Sequence, residues 1–171
     1  MAMLLQAALV LGGLAWAFNA KPASGQSYRI AGDVPYCDAT LMEGPNPQGV
    51  SAAAPRGEAV ILYDAEAMAD KPYLKPFLLA RQCAHIVLEH ISPQGRMRSD
   101  LLIAAMELDA DCWAAMALAK AGQGQIVLDQ VALFGAEESD RANPSAPTWP
   151  ARSRKLQDCL LRQEQPVVQG D

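Results

Sequence analysis

The stretch Lys75-Pro-Phe-Leu-Leu-Ala-Arg-Gln-Cys-Ala-His-Ile-Val-Leu-Glu-His90 decides how the chain is read. Phe77, Leu78, Ala80, Ala84, Val87, Leu88 and, just beyond, Ile91 recur at helical spacing, and Pro76 is tolerated in a first turn where no N–H is needed. The spacing predicts a long helix from Tyr73 or Lys75 to His90, stopped by Ser92-Pro-Gln-Gly95. Both histidines of the chain, His85 and His90, fall on it. Five residues is about 140° of helical turn, so on a continuous helix the two rings do not face one another.

A second helix is expected from about Ser99, a suitable N-cap, to Lys120, ended by Gly122 and Gly124. Within it Glu107 and Asp111 are one turn apart and share a face. A third helix is expected over Gln125 to Phe134, a loop over Glu137 to Thr148, and a fourth helix over Pro150 to Arg162. Residues 163–171 have little to bury and are expected to fray. Upstream, Glu58-Ala-Val-Ile-Leu-Tyr63 is the best strand candidate and reads as central to a small sheet. Tyr28-Ile30 and Val34-Asp38 are short extended stretches, either edge strands or loop, and Pro45 through Pro55 reads as a mobile connection. The fold class is therefore α+β, a small N-terminal sheet followed by a helical core.

The 171 residues, 51% apolar and 19% charged, suit one globular domain, placed here at residues 26–162. Net charge is −5, and no cluster of Lys and Arg interleaved with aromatics is present, which argues against a nucleic-acid partner. The first twenty residues carry no charged side chain, and Met3 through Ala17 is apolar apart from Gln6 and Gly12-Gly13. A run of about fifteen residues is short for a membrane span and fits the apolar region of a signal peptide. Residues 1–25 are therefore read as a secretory signal, cleaved between Ala17 and Gln26, with an uncleaved anchor as the alternative and the one route to a membrane. Export to the periplasm or the exterior is expected. Cys37, Cys83, Cys112 and Cys159 all lie outside the signal and are compatible with two disulfides, for which three pairings exist. The alternative is four buried thiols. No CxxC pair suggests a zinc-cysteine site.

Residues 74–118, about a quarter of the chain, resemble the gluzincin-type zinc metallopeptidases, whose core reads as an A-HExxH-xVLGH helix followed by an ELxADCWA helix. Ala80, Ala84, His85, Val87, Leu88 and His90 fit the first helix, and Glu107, Ala110, Asp111, Cys112, Trp113 and Ala114 fit the second. Pro150-Ala-Arg152 through Cys159 also resembles the family's PARxRxxxxC helix, although its preceding histidine falls near Ala146 and is lost. The resemblance implies a zincin-like core of two long packed helices. It makes His85 and Glu107 the residual metal ligands and Asp111 the residue that orients a histidine from behind. Arg81 stands where the first ligand belongs, and Gln82 where the catalytic base belongs.

Those two replacements bear on chemistry directly. Glutamine cannot take a proton from a metal-bound water, and arginine offers no lone pair to a cation. Two ligands rarely hold zinc, so no cofactor is expected and zinc is the lesser possibility. His85 is then a buried, hydrogen-bonded core residue. Arg81 either points into solvent or occupies the vacated metal position and pairs with Glu107 or Asp111. Trp113 and Met116 read as core packing. Among the disulfide pairings, Cys112 with Cys159 and Cys37 with Cys83 is preferred, since Cys83 points away from the Arg81/His85 face.

The function expected is that of an exported pseudopeptidase that binds or scaffolds an unknown protein or peptide. The alternatives are an active zinc metallopeptidase with unusual ligands and a disulfide-stabilised structural module of the cell envelope.

Overall fold

A computed structural model of the protein describes residues 27–91, 99–137 and 146–164. The expected signal, the Ser92-Gly95 helix stop, most of the Glu137–Thr148 loop and the tail beyond 164 lie outside them.

Four strands come first, β1 (Arg29–Asp33), β2 (Thr40–Glu43), β3 (Val50–Ala53) and β4 (Val60–Tyr63), in the order β1-β2-β4-β3. As the apolar run predicts, β4 is an inner strand, parallel to β2 and antiparallel to β3. Inner strands buried on both faces read as continuous apolar runs, and Val60, Ile61 and Tyr63 are buried. Of the two alternatives for Val34-Asp38 the loop is found, and one expectation for this region fails. Val34-Asp38 is a turn, with the Val34 N–H donating to the Ala39 carbonyl at 3.0 Å. Pro35 has no N–H to give to a ladder, which explains why this stretch does not extend β1. The stretch read as a mobile connection instead forms β3, which pairs along its length with β4. Its approach is fixed by Asn46, whose side chain donates to Ser51 Oγ and the Leu62 carbonyl at 3.0 and 3.2 Å. Asp64 closes the same corner by accepting the N–H groups of Asn46, Glu66 and Ala67 at 2.9–3.0 Å. These bonds, that from Ala67 first, hold its carboxyl below the ordinary range.

Four helices follow, α1 (Lys75–Val87), α2 (Asp100–Lys120), α3 (Gly124–Ala136) and α4 (Trp149–Glu164). Ser99 caps α2 as expected, its hydroxyl accepting the Leu102 N–H at 3.3 Å. Helix α1 lies between two cores. Its Leu79 and Cys83 pack on Val34, Leu41, Val50 and Ile61 of the sheet side, while Phe77 and Ala80 join Ala114, Leu118, Val127, Phe134 and Leu156 of the other helices. Disulfides Cys37–Cys83 and Cys112–Cys159 fasten each core in turn, the first tying the β1–β2 turn to α1 and the second tying α2 to α4.

Helix α1 stops at Val87, earlier than the spacing predicts. The Glu89 N–H donates to the Ile86 carbonyl at 3.0 Å and the His90 N–H to the His85 carbonyl at 2.8 Å, the paired bonds of a Schellman cap. Such a cap needs a left-handed residue, and Glu89 supplies it at φ 57°. The same cap ends α2, where Gly122 takes φ 74°. A side chain in that conformation costs about 1–2 kcal/mol, part of which glycine returns through its looser unfolded state. Glu89→Gly is therefore expected to stabilise the protein by about 0.5–1 kcal/mol in urea denaturation.

Candidate functional site

Where α1, α2 and α4 meet, four charged side chains form one cluster. Asp111, on the inward face of α2, has no exposed surface. Its Oδ1 accepts Arg81 Nε at 3.0 Å and an Arg152 Nη at 2.7 Å, and its Oδ2 accepts Arg152 Nε at 2.7 Å. Arg152 thus clasps the carboxylate bidentately from α4 while Arg81 approaches from α1. The second end of the Arg81 guanidinium contacts Glu107, one turn before Asp111 on α2. Of the two arrangements open to Arg81, the structure has the paired one, and it meets both carboxylates.

Burial pushes the Arg81 guanidinium below its ordinary value, Asp111 opposes this, and nearby Arg152 adds to the lowering. Arginine nonetheless stays charged in proteins. Arg152 is further held by its aromatic neighbours, its guanidinium carbon 4.3 Å from the Phe134 ring centre and 5.1 Å from that of Trp149. The two rings stack on each other at 5.0 Å.

His85 and His90 meet, contrary to the expectation from a continuous helix. Their Nδ1 atoms are 3.1 Å apart and the ring centres 5.2 Å apart. The cap at Glu89 explains it: once the chain turns left-handed, the sixth residue folds back over the first, a position often taken by an apolar contact. His85 is buried, as its core reading requires, and its Nε2 lies 3.6 Å from Glu107. The two nitrogens of His85 therefore face different partners on opposite sides of the ring.

No family model, curated protein or solved structure matches this chain. The site must be read from its own chemistry.

That chemistry does not suit zinc. Arg81, in contact with Glu107, brings a fixed positive charge and no lone pair to the corner where His85 and Glu107 meet. Gln82 is buried on α1 and has no carboxylate with which to act as a base. Asp111 is engaged by the two arginines, where the resemblance assigned it to a histidine.

Two residues of this region escaped the sequence. Arg152 was visible as part of the PARxR pattern, but nothing local marks it as the partner of Asp111. Met116, expected in the core, is 37% exposed. With Tyr36, Trp113 and Lys120 it lines a groove of about 470 Å³ on the outer face of α2. Trp113 does pack against the sheet-side core.

Proposed function

We propose that this protein is an exported, catalytically silent relative of the gluzincin-type peptidases, in which Arg81 replaces the metal as the link between the two central helices and the remaining cleft binds a polypeptide. The observation that carries this reading is the position of the Arg81 guanidinium, in contact with Glu107 and Asp111 together. An ion pair of this kind preserves the helix pair that the HExxH and ExxAD motifs would join through zinc, without the means to activate water. The two disulfides agree with an oxidising compartment, and no helix among the described residues is long and apolar enough to cross a membrane. For the bound polypeptide, β3 forms one edge of the sheet beside α1 and offers backbone groups for strand addition. A peptide-array screen with no enriched sequence weighs against that mode.

Metal analysis of the purified protein and a casein-hydrolysis assay test the proposal. The expected result is sub-stoichiometric zinc and no hydrolysis. Arg81→His combined with Gln82→Glu is expected to gain zinc, since it returns a ligand and a base at the spacing the metal needs. Stoichiometric zinc in the unaltered protein, lost on His85→Ala, would establish the enzyme instead.

A further inference from the structure

A pocket of about 280 Å³ opens where α1, α3 and α4 meet, with Arg81 and Arg152 in its lining. Cavities for drug-sized ligands run from roughly 300 to 1,000 Å³, so this one suits a single residue better than an extended segment. We infer that it receives the C-terminal residue of a peptide, with the carboxylate on the guanidiniums of Arg81 and Arg152 and the apolar side chain against Leu133, Phe134 and Trp149. The inference rests on the reading of the protein as a polypeptide binder that does not hydrolyse, and it names the feature of the polypeptide that is recognised.

Three observations support it. Each guanidinium has five N–H donors, and the bonds to Asp111 and Glu107 engage Nε and one Nη of each arginine. The other Nη takes part in none of them. Both side chains keep some exposed surface, 13% for Arg81 and 11% for Arg152, and the pocket is a space that both border. Second, both guanidiniums bear on Asp111, which has no exposed surface, while Glu107 meets only Arg81, so a further anion eases the repulsion that the two cations exert on each other. Lys71 adds a third cation to a lining that has one acid, Glu137, with Asp70 4.0 Å from Lys71 outside it. Third, Phe134 and Trp149 already stack around Arg152, so a carboxylate placed there sits against aromatic and aliphatic walls that exclude water and strengthen charge-assisted bonds. A free C-terminus is the one place on a peptide where an anion and an apolar side chain share a carbon.

Calorimetric titration of the full protein with an acetylated alanine tripeptide extended by a C-terminal leucine tests this, against the same peptide as its C-terminal amide and against octanoate. The free acid is expected to bind about tenfold or more tightly than the amide. Arg152→Gln should remove that preference but also disturbs Asp111, so the deciding variant is Leu133→Glu. It sets a like charge in the pocket away from the buried cluster and should abolish binding while leaving thermal unfolding unchanged. Equal affinity for acid and amide, no binding of either, or unchanged binding to Leu133→Glu overturns the inference. Octanoate binding as tightly as the peptide and displacing it overturns the peptide as the ligand. Mass spectrometry of the recovered peptide separates the two claims: cleavage counts against a silent enzyme, whereas an intact peptide bound without regard to its carboxylate counts against this pocket alone.

Discussion

Asp111→Ala is expected to destabilise the folded protein by about 3–5 kcal/mol, the largest effect of any single side-chain change in the cluster. The reason is what the change leaves behind. Asp111 is completely buried and receives three bonds from Arg81 and Arg152, so its loss strands two guanidiniums with little water to solvate them. Glu107 still meets Arg81, but Arg152 keeps only its aromatic neighbours. Urea denaturation followed by far-ultraviolet circular dichroism measures the loss. Removing the stranded charges as well, with Arg81→Leu and Arg152→Met beside Asp111→Ala, should recover much of the stability, because apolar side chains of similar volume often match a buried ion-pair network. A loss below about 1 kcal/mol for Asp111→Ala would place the carboxylate in solvent and undo the account of the cluster.

The second large effect concerns the disulfides. Cys37–Cys83 and Cys112–Cys159 close loops with sequence separations of 46 and 47 residues. On the chain-entropy model each such loop contributes about 4 kcal/mol by restricting the unfolded chain. The loops do not overlap, so the contributions should add. Replacing either pair by serine is expected to lower the urea midpoint markedly and by a similar amount, and replacing both is expected to leave little folded protein at 37 °C. If one pair proves far more costly to lose, the difference lies in native packing, since the entropic parts are nearly equal.

The helices were legible because their signals are local. Ser99 caps α2, Gly122 ends it in a left-handed conformation, and Pro150 stands in the first turn of α4. The α+β class and the inner position of β4 follow from a four-residue apolar run that only a buried strand accommodates so compactly. Thr40–Glu43 and Val50–Ala53 gave no comparable signal. They are short, lack alternation, and the second is rich in Ala and Ser, so pairing with β4 decides their conformation more than any preference of their own. The early end of α1 was hidden for the opposite reason. A glutamate occupies a conformation that normally announces itself through glycine, at the position where the VLGH pattern has that glycine. Reading Glu89 as a glycine substitute would have placed His90 against His85.

At the candidate site, helical spacing puts Arg81 with His85 on one face and Glu107 with Asp111 on another, and the resemblance to the two gluzincin helices is what set those faces against each other. Arg152 was not so placed, since its meeting with Asp111 depends on how α4 docks on α2, which no spacing within either helix encodes. The pocket beside Arg81 has the same origin, being built from side chains of three helices and the turn before α1.

The two disulfides follow one another along the chain without nesting, and this has a mechanical meaning. A molecule pulled from its ends while oxidised cannot extend the residues inside either loop, so unfolding under force shows the length of the remaining chain alone. Each bond conceals about 150–165 Å of contour length, released only when it is reduced. The molecule thus has two reserves of extension of nearly equal size, one holding β2, β3, β4 and most of α1 and the other holding the end of α2, α3 and most of α4, with the Arg81 and Asp111 contact as a charged clasp beside them.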